Sequence, residues 1–107
     1  MKNKKTFRSL DEFYPYYLSE HQNKMCRILH FAGTSLFFYF LFAFFLSGNY
    51  ILLLFCPLVG YGFAWIGHFF FEQNRPATFQ YPIYSLLSDF KLYFDILQNK
   101  QKFDPKK

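Results

Sequence analysis

The sequence predicts an all-α membrane protein: a two-span transmembrane helical hairpin flanked by an N-terminal interfacial helix and a C-terminal amphipathic helix. Three observations carry this reading. From Ile28 to Phe71 there is no Asp, Glu, Lys or Arg. The run has one polar interruption typical of a turn, Ser47-Gly48-Asn49. The pieces on either side, 28–47 and 50–71, hold 20 and 22 residues. At about 1.5 Å per residue each reaches about 30 Å, the thickness of a hydrocarbon core. Both segments are apolar all round, which disfavours a buried soluble hairpin. The 107 residues, 52% apolar and including 18 Phe, allow one domain, 1–107.

The elements follow in order. Met1–Thr6 reads as a disordered basic leader. Thr6–Asn23 lacks the apolar stretch of a cleaved signal peptide. Ser9 and Glu12 have capping-box spacing, so a helix is expected from near Leu10 to His21, with Pro15 in about its first turn. Its Phe and Tyr residues fit a membrane interface. Asn23 is the expected N-cap of the first span. Gly48-Asn49 folds the chain back, and the second span opens near Tyr50. Pro57 should kink it by crowding the carbonyl of Leu53. Gly60, Ala64 and His68 are four apart, a small-residue stripe suited to close helix contact. Gly33 thins the first span beside His30.

Asn74-Arg75-Pro76-Ala77 reads as a stop and turn, and Pro82 as the start of the last helix. There Ile83, Leu86, Leu87, Phe90, Phe94 and Leu97 form an apolar face. Ser85, Ser88, Asp89, Lys91 and Asp95 fall largely elsewhere. This helix should lie on the membrane or against the hairpin. The tail from Gln98 is expected to fray.

Charge sets the topology. Lys2, Lys4, Lys5, Arg8, Lys24 and Arg27 precede the first span; Arg75, Lys91 and a Lys-rich tail follow the second. By the positive-inside rule both termini are cytoplasmic. The formal charge of +5 suits an anionic lipid surface. The basic residues are dispersed beside the spans, so nucleic acid is not an expected partner. Cys26 and Cys56 form no metal or disulfide spacing and read as packing residues.

Chemistry points to the histidines. The midpoint between His30 and His68 is residue 49, inside the turn, so the two imidazoles share one depth. Glu72 lies one helical turn after His68. His21 is nine residues before His30, which is about 900° and the opposite face on a continuous helix. A break at Gln22-Asn23 removes that conflict and folds His21 over the hairpin mouth.

Imidazoles and a carboxylate with open positions suit non-haem Fe(II); zinc shares these ligands. Three histidines are too few for a polyhistidine di-iron site. Haem between His30 and His68 is an alternative that leaves His21 and Glu72 without a role. Asn23, Arg27 and Arg75 are candidates to bind a substrate carboxylate. Ser85 and Asp89 either orient a ligand or face water, with water favoured. Tyr61, Trp65 and Phe69–Phe71 read as core and lipid contacts. A non-enzymatic module that binds lipid or a partner protein is the competing class. It predicts that histidine substitutions change little.

Tyr17-x3-His21-x-Asn23-x6-His30 and Gly67-His68-x3-Glu72-x2-Arg75-Pro76-Ala77 resemble the Mpo1-like family, whose shared segment is also called the DUF962 domain. The resemblance extends from about Phe13 to Leu97, and the second motif is the more specific. The characterised fungal member is an Fe(II)-dependent dioxygenase that shortens 2-hydroxy fatty acids by one carbon. The resemblance implies Fe(II) at His21, His30 and His68, with Glu72 at the family's acidic position as ligand or orienting group. It also implies a lipid or fatty-acid substrate. This chain has one short hairpin where the fungal protein has a further membrane pair, and Gln22 where that motif has another histidine. So compact a form implies a bacterial owner and an inner-membrane location.

Overall fold

The structure is a computed structural model that describes residues 7–106. The leader Met1–Thr6 lies outside the described residues. Among these residues the chain is helical, without strands: α1 (Leu10–Ser19), α2 (Lys24–Ser47), α3 (Ile51–Ile66) with a π-helical extension (Gly67–Glu72), a 3-10 turn (Ala77–Phe79) and α4 (Pro82–Leu97).

Local chemistry sets the boundaries. Ser9 Oγ accepts the Glu12 N–H at 3.2 Å and starts α1. Glu12 reaches back to the Arg8 N–H at 3.1 Å, one residue before its usual capping-box partner. Pro15 is the sixth residue of α1, and the helix continues through it. The helix ends at Ser19, so His21 stands outside it. Asn23 caps α2 as expected: its Oδ1 accepts from Met25 N at 2.8 Å and from Cys26 N at 3.4 Å. Gly48 ends α2 in the left-handed region, φ 72°, where glycine has no Cβ to clash. Asn49 Oδ1 then accepts from Ile51 N at 3.1 Å. α3 runs unbroken through Pro57.

α2 and the continuous helix Ile51–Glu72 are long and apolar enough to cross a membrane. Their outer faces carry large side chains in the open: Phe42, Phe45, Leu54, Leu58 and Phe70 are all exposed. The two helices approach closely at Gly33. A Cβ there would stand 2.9 Å from Phe63 Cβ and 3.0 Å from the Val59 carbonyl oxygen. Gly67 is also tight, with Cys26 Cα and Sγ 3.1 Å from its added Cβ. The stripe expected to make the contact does something else. A Cβ on Gly60 would meet nothing within 4 Å, because Gly60 and Ala64 line a cavity.

Of the two placements expected for α4, its apolar face is not the one laid against the hairpin. Ser85, Ser88, Leu92, Asp95 and Ile96 are buried, while Ile83, Leu86, Leu87, Phe94 and Leu97 point outward. Its mixed small and polar face packs inward and its apolar face is presented to the surroundings. The aromatic face of α1 supplies the partner surface. Phe13, Tyr14 and Tyr17 are buried with Ala77, Leu92 and Ile96, forming a core where the sequence placed a lipid interface. Tyr14 Oη donates to Asp95 Oδ2 at 2.9 Å, and Lys91 Nζ stands 3.4 Å from the same oxygen. The tail is docked: Arg27 Nη1 donates to Gln101 Oε1 at 3.2 Å and Lys102 O at 2.8 Å, and Phe103 sits edge-on to Phe31.

These contacts predict opposite behaviour at the two glycines. Gly33→Ala should destabilise the hairpin by about 1–3 kcal/mol, the usual cost of overpacking. Gly60→Ala should not, because its Cβ enters open space. Thermal unfolding of both variants in one detergent checks this; equal shifts would contradict the close approach at Gly33.

Candidate metal centre

His21, His30 and His68 come from three segments and meet. Their ring centroids are 4.4–5.0 Å apart, and all three side chains are buried. The linker 20–23 turns His21 back over the hairpin, as the break at Gln22-Asn23 required. His30 lies on α2, two turns after its cap. His68 lies in the π-helical extension.

Each ring is oriented by its Nδ1. His21 Nδ1 is 2.6 Å from Tyr17 O, His30 Nδ1 is 2.9 Å from Cys26 O, and His68 Nδ1 is 2.7 Å from Asn74 Oδ1. Asn74 Nδ2 donates to Glu20 O at 3.1 Å, which fixes which end of that amide faces His68. All three partners are acceptors, so Nδ1 carries the proton in every ring. The lone pair is then on Nε2. His21 Nε2 and His30 Nε2 face each other at 3.1 Å. Lone pairs that close repel unless a cation lies beside them. Burial, followed by His30 and His68, holds His21 well below the usual imidazole range, so it is neutral and ligand-ready at neutral pH.

With Cys26, the histidines form a buried group whose donor atoms lie within 4.8 Å of one another, fit to hold a metal ion. The Cys26 thiol is 3.6 Å from His30 Nδ1, on the hydrogen-bonded side of that ring. The sequence had assigned Cys26 to packing alone. The histidines border a void of about 10 Å³ together with Tyr17, Trp65, Ser85 and Asp89. That is roughly one water-sized sphere, room for an ion and far too little for a haem macrocycle. Ser85 Oγ and Trp65 Nε1 are buried there without a hydrogen-bond partner in the protein. Orphaned polar atoms beside three inward nitrogens fit an absent polar ligand. The nitrogen donors suit Fe(II) and zinc alike.

The other sequence candidates go elsewhere. Glu72 accepts the Asn23 N–H and stands outside the histidine group. The segment from His68 to Glu72 is π-helical: its hydrogen bonds run i to i+5, so four residues after His68 do not complete a turn. Asn23 caps α2 and donates Nδ2 to Phe71 O at 3.3 Å. Arg27, 1% exposed, gives Nε to His21 O at 2.7 Å and the rest of its fork to the tail. Arg75 is exposed and lines a separate cavity with Glu20 and Gln80.

Three further residues meet the histidines: Tyr17, which the sequence offered only within a motif, Asn74, and Asp89, for which water was favoured over a ligand. Tyr17 accepts from His21 through its carbonyl, stacks on that ring at 3.9 Å, and donates its hydroxyl to Asp89 Oδ1. Asn74 looked like a turn residue. Asp89, expected to face water, has Oδ1 3.9 Å from His30 Nε2. Burial pushes its carboxyl up to about 7, against the lowering effect of the Tyr17 hydrogen bond. The usable signal was the i, i+4 spacing of Ser85 and Asp89 within a strongly aromatic helix.

A second, larger cavity of about 240 Å³ adjoins the void, sharing His30, Ala64 and Asp89 with it. It runs between α2, α3 and α4 along Thr34, Phe37, Pro57 and Gly60. A family model described as 2-hydroxy-palmitic acid dioxygenase Mpo1-like matches residues 7–101. The chain belongs to the Mpo1-like family. The match takes in all three histidines of this Mpo1-like chain, its α4 and Asp89. No curated protein and no solved structure matches it.

The geometry separates orienting groups from structural ones. Asn74→Leu removes the acceptor that fixes His68 and should weaken metal binding about 10–100-fold, the usual effect of losing an outer-shell partner. Glu72→Gln should leave metal affinity unchanged while lowering thermal stability. Chelator competition alongside unfolding curves measures both; a loss of metal on Glu72→Gln would return Glu72 to the site.

Proposed function

We propose that this Mpo1-like protein is a membrane-embedded non-haem Fe(II) dioxygenase that shortens 2-hydroxy fatty acids by one carbon. One observation carries the reading: three histidine Nε2 atoms turn on a water-sized void that opens onto an apolar cavity. The family description supplies the substrate class and the reaction type.

His21, His30 and His68 would hold the iron. Bound Fe(II) would supply the redox chemistry with O2; zinc, without redox states, would not. The residues' own work is positional. The Nδ1 hydrogen bonds fix all three rings before a ligand arrives, so little reorganisation accompanies binding. Neither cavity lining includes Lys or Arg among the described residues. The charge that meets a substrate carboxylate is then the metal ion, the role expected from sequence of Asn23, Arg27 and Arg75. Ser85 Oγ and Trp65 Nε1 offer hydrogen bonds to the substrate's oxygens. The cavity from His30 past Thr34 to Phe37 takes the acyl chain over roughly 10 Å, seven residues of helical rise. Gly60 leaves room for it. Both spans sit in the bilayer, with the basic ends and both termini on the cytoplasmic side.

Anaerobic Fe(II) loading followed by O2 and a 2-hydroxy fatty acid tests the reaction. The expected product is one carbon shorter by mass, and His30→Ala and His68→Ala should form none. Purified protein that binds no iron, or a His68→Ala variant that binds it equally, would end this reading. Gly60→Leu should retain iron while lowering kcat/KM for long chains relative to short ones. The expected bias is at least about tenfold, the low end of what one methylene is worth in an apolar pocket.

A further inference from the structure

We propose that Asp89 supplies the carboxylate of the metal centre, delivered by α4 and not by the second span. The inference rests on the metal-site reading above and adds an oxygen ligand to its three nitrogens.

Asp89 and Asp95 provide an internal comparison. Both project inward from α4, and each accepts a hydroxyl from a tyrosine of α1: Tyr14 for Asp95, Tyr17 for Asp89. Asp95 also has a cation, Lys91 Nζ at 3.4 Å. Among the described residues Asp89 has none, although its side chain is only 18% exposed and faces an apolar cavity. Buried carboxylates are paired or coordinate metals, because an uncompensated charge in low dielectric is costly. The group standing where Lys91 would stand is the histidine cluster. Its nearest nitrogen, His30 Nε2, is 3.9 Å from Asp89 Oδ1. That nitrogen bears a lone pair, so it and the ionised carboxylate are both acceptors, and a cation between them would satisfy the two together.

Distance and placement agree. Donors each about 2.0–2.2 Å from one ion stand roughly 3–4 Å apart. The observed 3.1 Å between His21 and His30 and 3.9 Å between His30 and Asp89 fall in that range. Asp89 also borders both the void and the apolar cavity. Glu72 borders neither the void nor the apolar cavity, and its Oε2 accepts the Asn23 N–H. Tyr17 is then a positioning residue for two ligands at once, through its carbonyl to His21 and its hydroxyl to Asp89. Histidine with carboxylate and open positions is the donor pattern of non-haem Fe(II) sites.

Co(II) binding to the full-length protein in detergent provides a readout independent of turnover. Wild type should take up Co(II) with a visible d–d spectrum. Asp89→Asn retains a carbonyl to accept the Tyr17 hydroxyl, so it should fold. It should bind Co(II) at least about tenfold more weakly, with an altered spectrum. Tyr17→Phe keeps the carboxylate and should lose less affinity than Asp89→Asn. Asp89→Ala guards against weak ligation by the amide, and circular dichroism checks each fold. Wild type that binds Co(II) together with Asp89→Asn and Asp89→Ala of unchanged affinity and spectrum would overturn the assignment alone. Wild type that binds no Co(II) would overturn it together with the metal-site reading.

Discussion

The centre depends on the junction at Asn23. There the first span receives its cap and is fastened to the end of the second. The side-chain oxygen of Asn23 serves the first turn of α2, its backbone N–H goes to Glu72, and its amide nitrogen reaches Phe71 O. With the chain unwound on either side of Gln22, His21 can turn through the angle a continuous helix forbids. Arg27 grips the His21 carbonyl and holds that turn. Without the junction, His21 and His30 would point to opposite faces, and the site would have two histidines in place of three.

Charged and polar groups inside this molecule form two linked layers. The inner layer is the three imidazoles with Asp89. The outer layer is made of carbonyls and amides: Tyr17 O, Cys26 O, Asn74 Oδ1, and behind Asn74 the backbone of Glu20. Each outer group already has a place in the backbone or in a second hydrogen bond. Rotating one imidazole would strand a buried acceptor, a penalty of about 1–3 kcal/mol. The fold therefore fixes tautomer and direction before any ion binds.

Much of the architecture was legible in the sequence because it follows from local rules. An uncharged run of the right length, one turn and capping residues on both sides give the hairpin. The symmetry of His30 and His68 about residue 49 gives the depth of the centre, and the spacing of His21 gives the break. What was illegible depends on tertiary context. Helical periodicity takes Glu72 one α-turn past His68, and a π-helix over Gly67–Glu72 changes that spacing. The apolar face of α4 was visible, but whether apolar means inward depends on what lies outside, and beside a bilayer the sense inverts. Asp89 was misjudged for that reason: a polar face assumed to meet water meets the histidines. The stripe at Gly60 and Ala64 showed that space would be left there. Only the structure shows that helix α3 leaves it as a cavity, with the close contact made at Gly33.

The inverted face of α4 has a consequence for how the site is held together. One side of this helix carries Ser85 and Asp89 to the histidines, while Ile83, Leu87 and Leu97 on the other side are exposed. The side that delivers polar groups to the centre and the side left open therefore belong to one rigid element. Whatever covers the open side bears on the seating of α4, and so on the geometry at the histidines, without touching any of them.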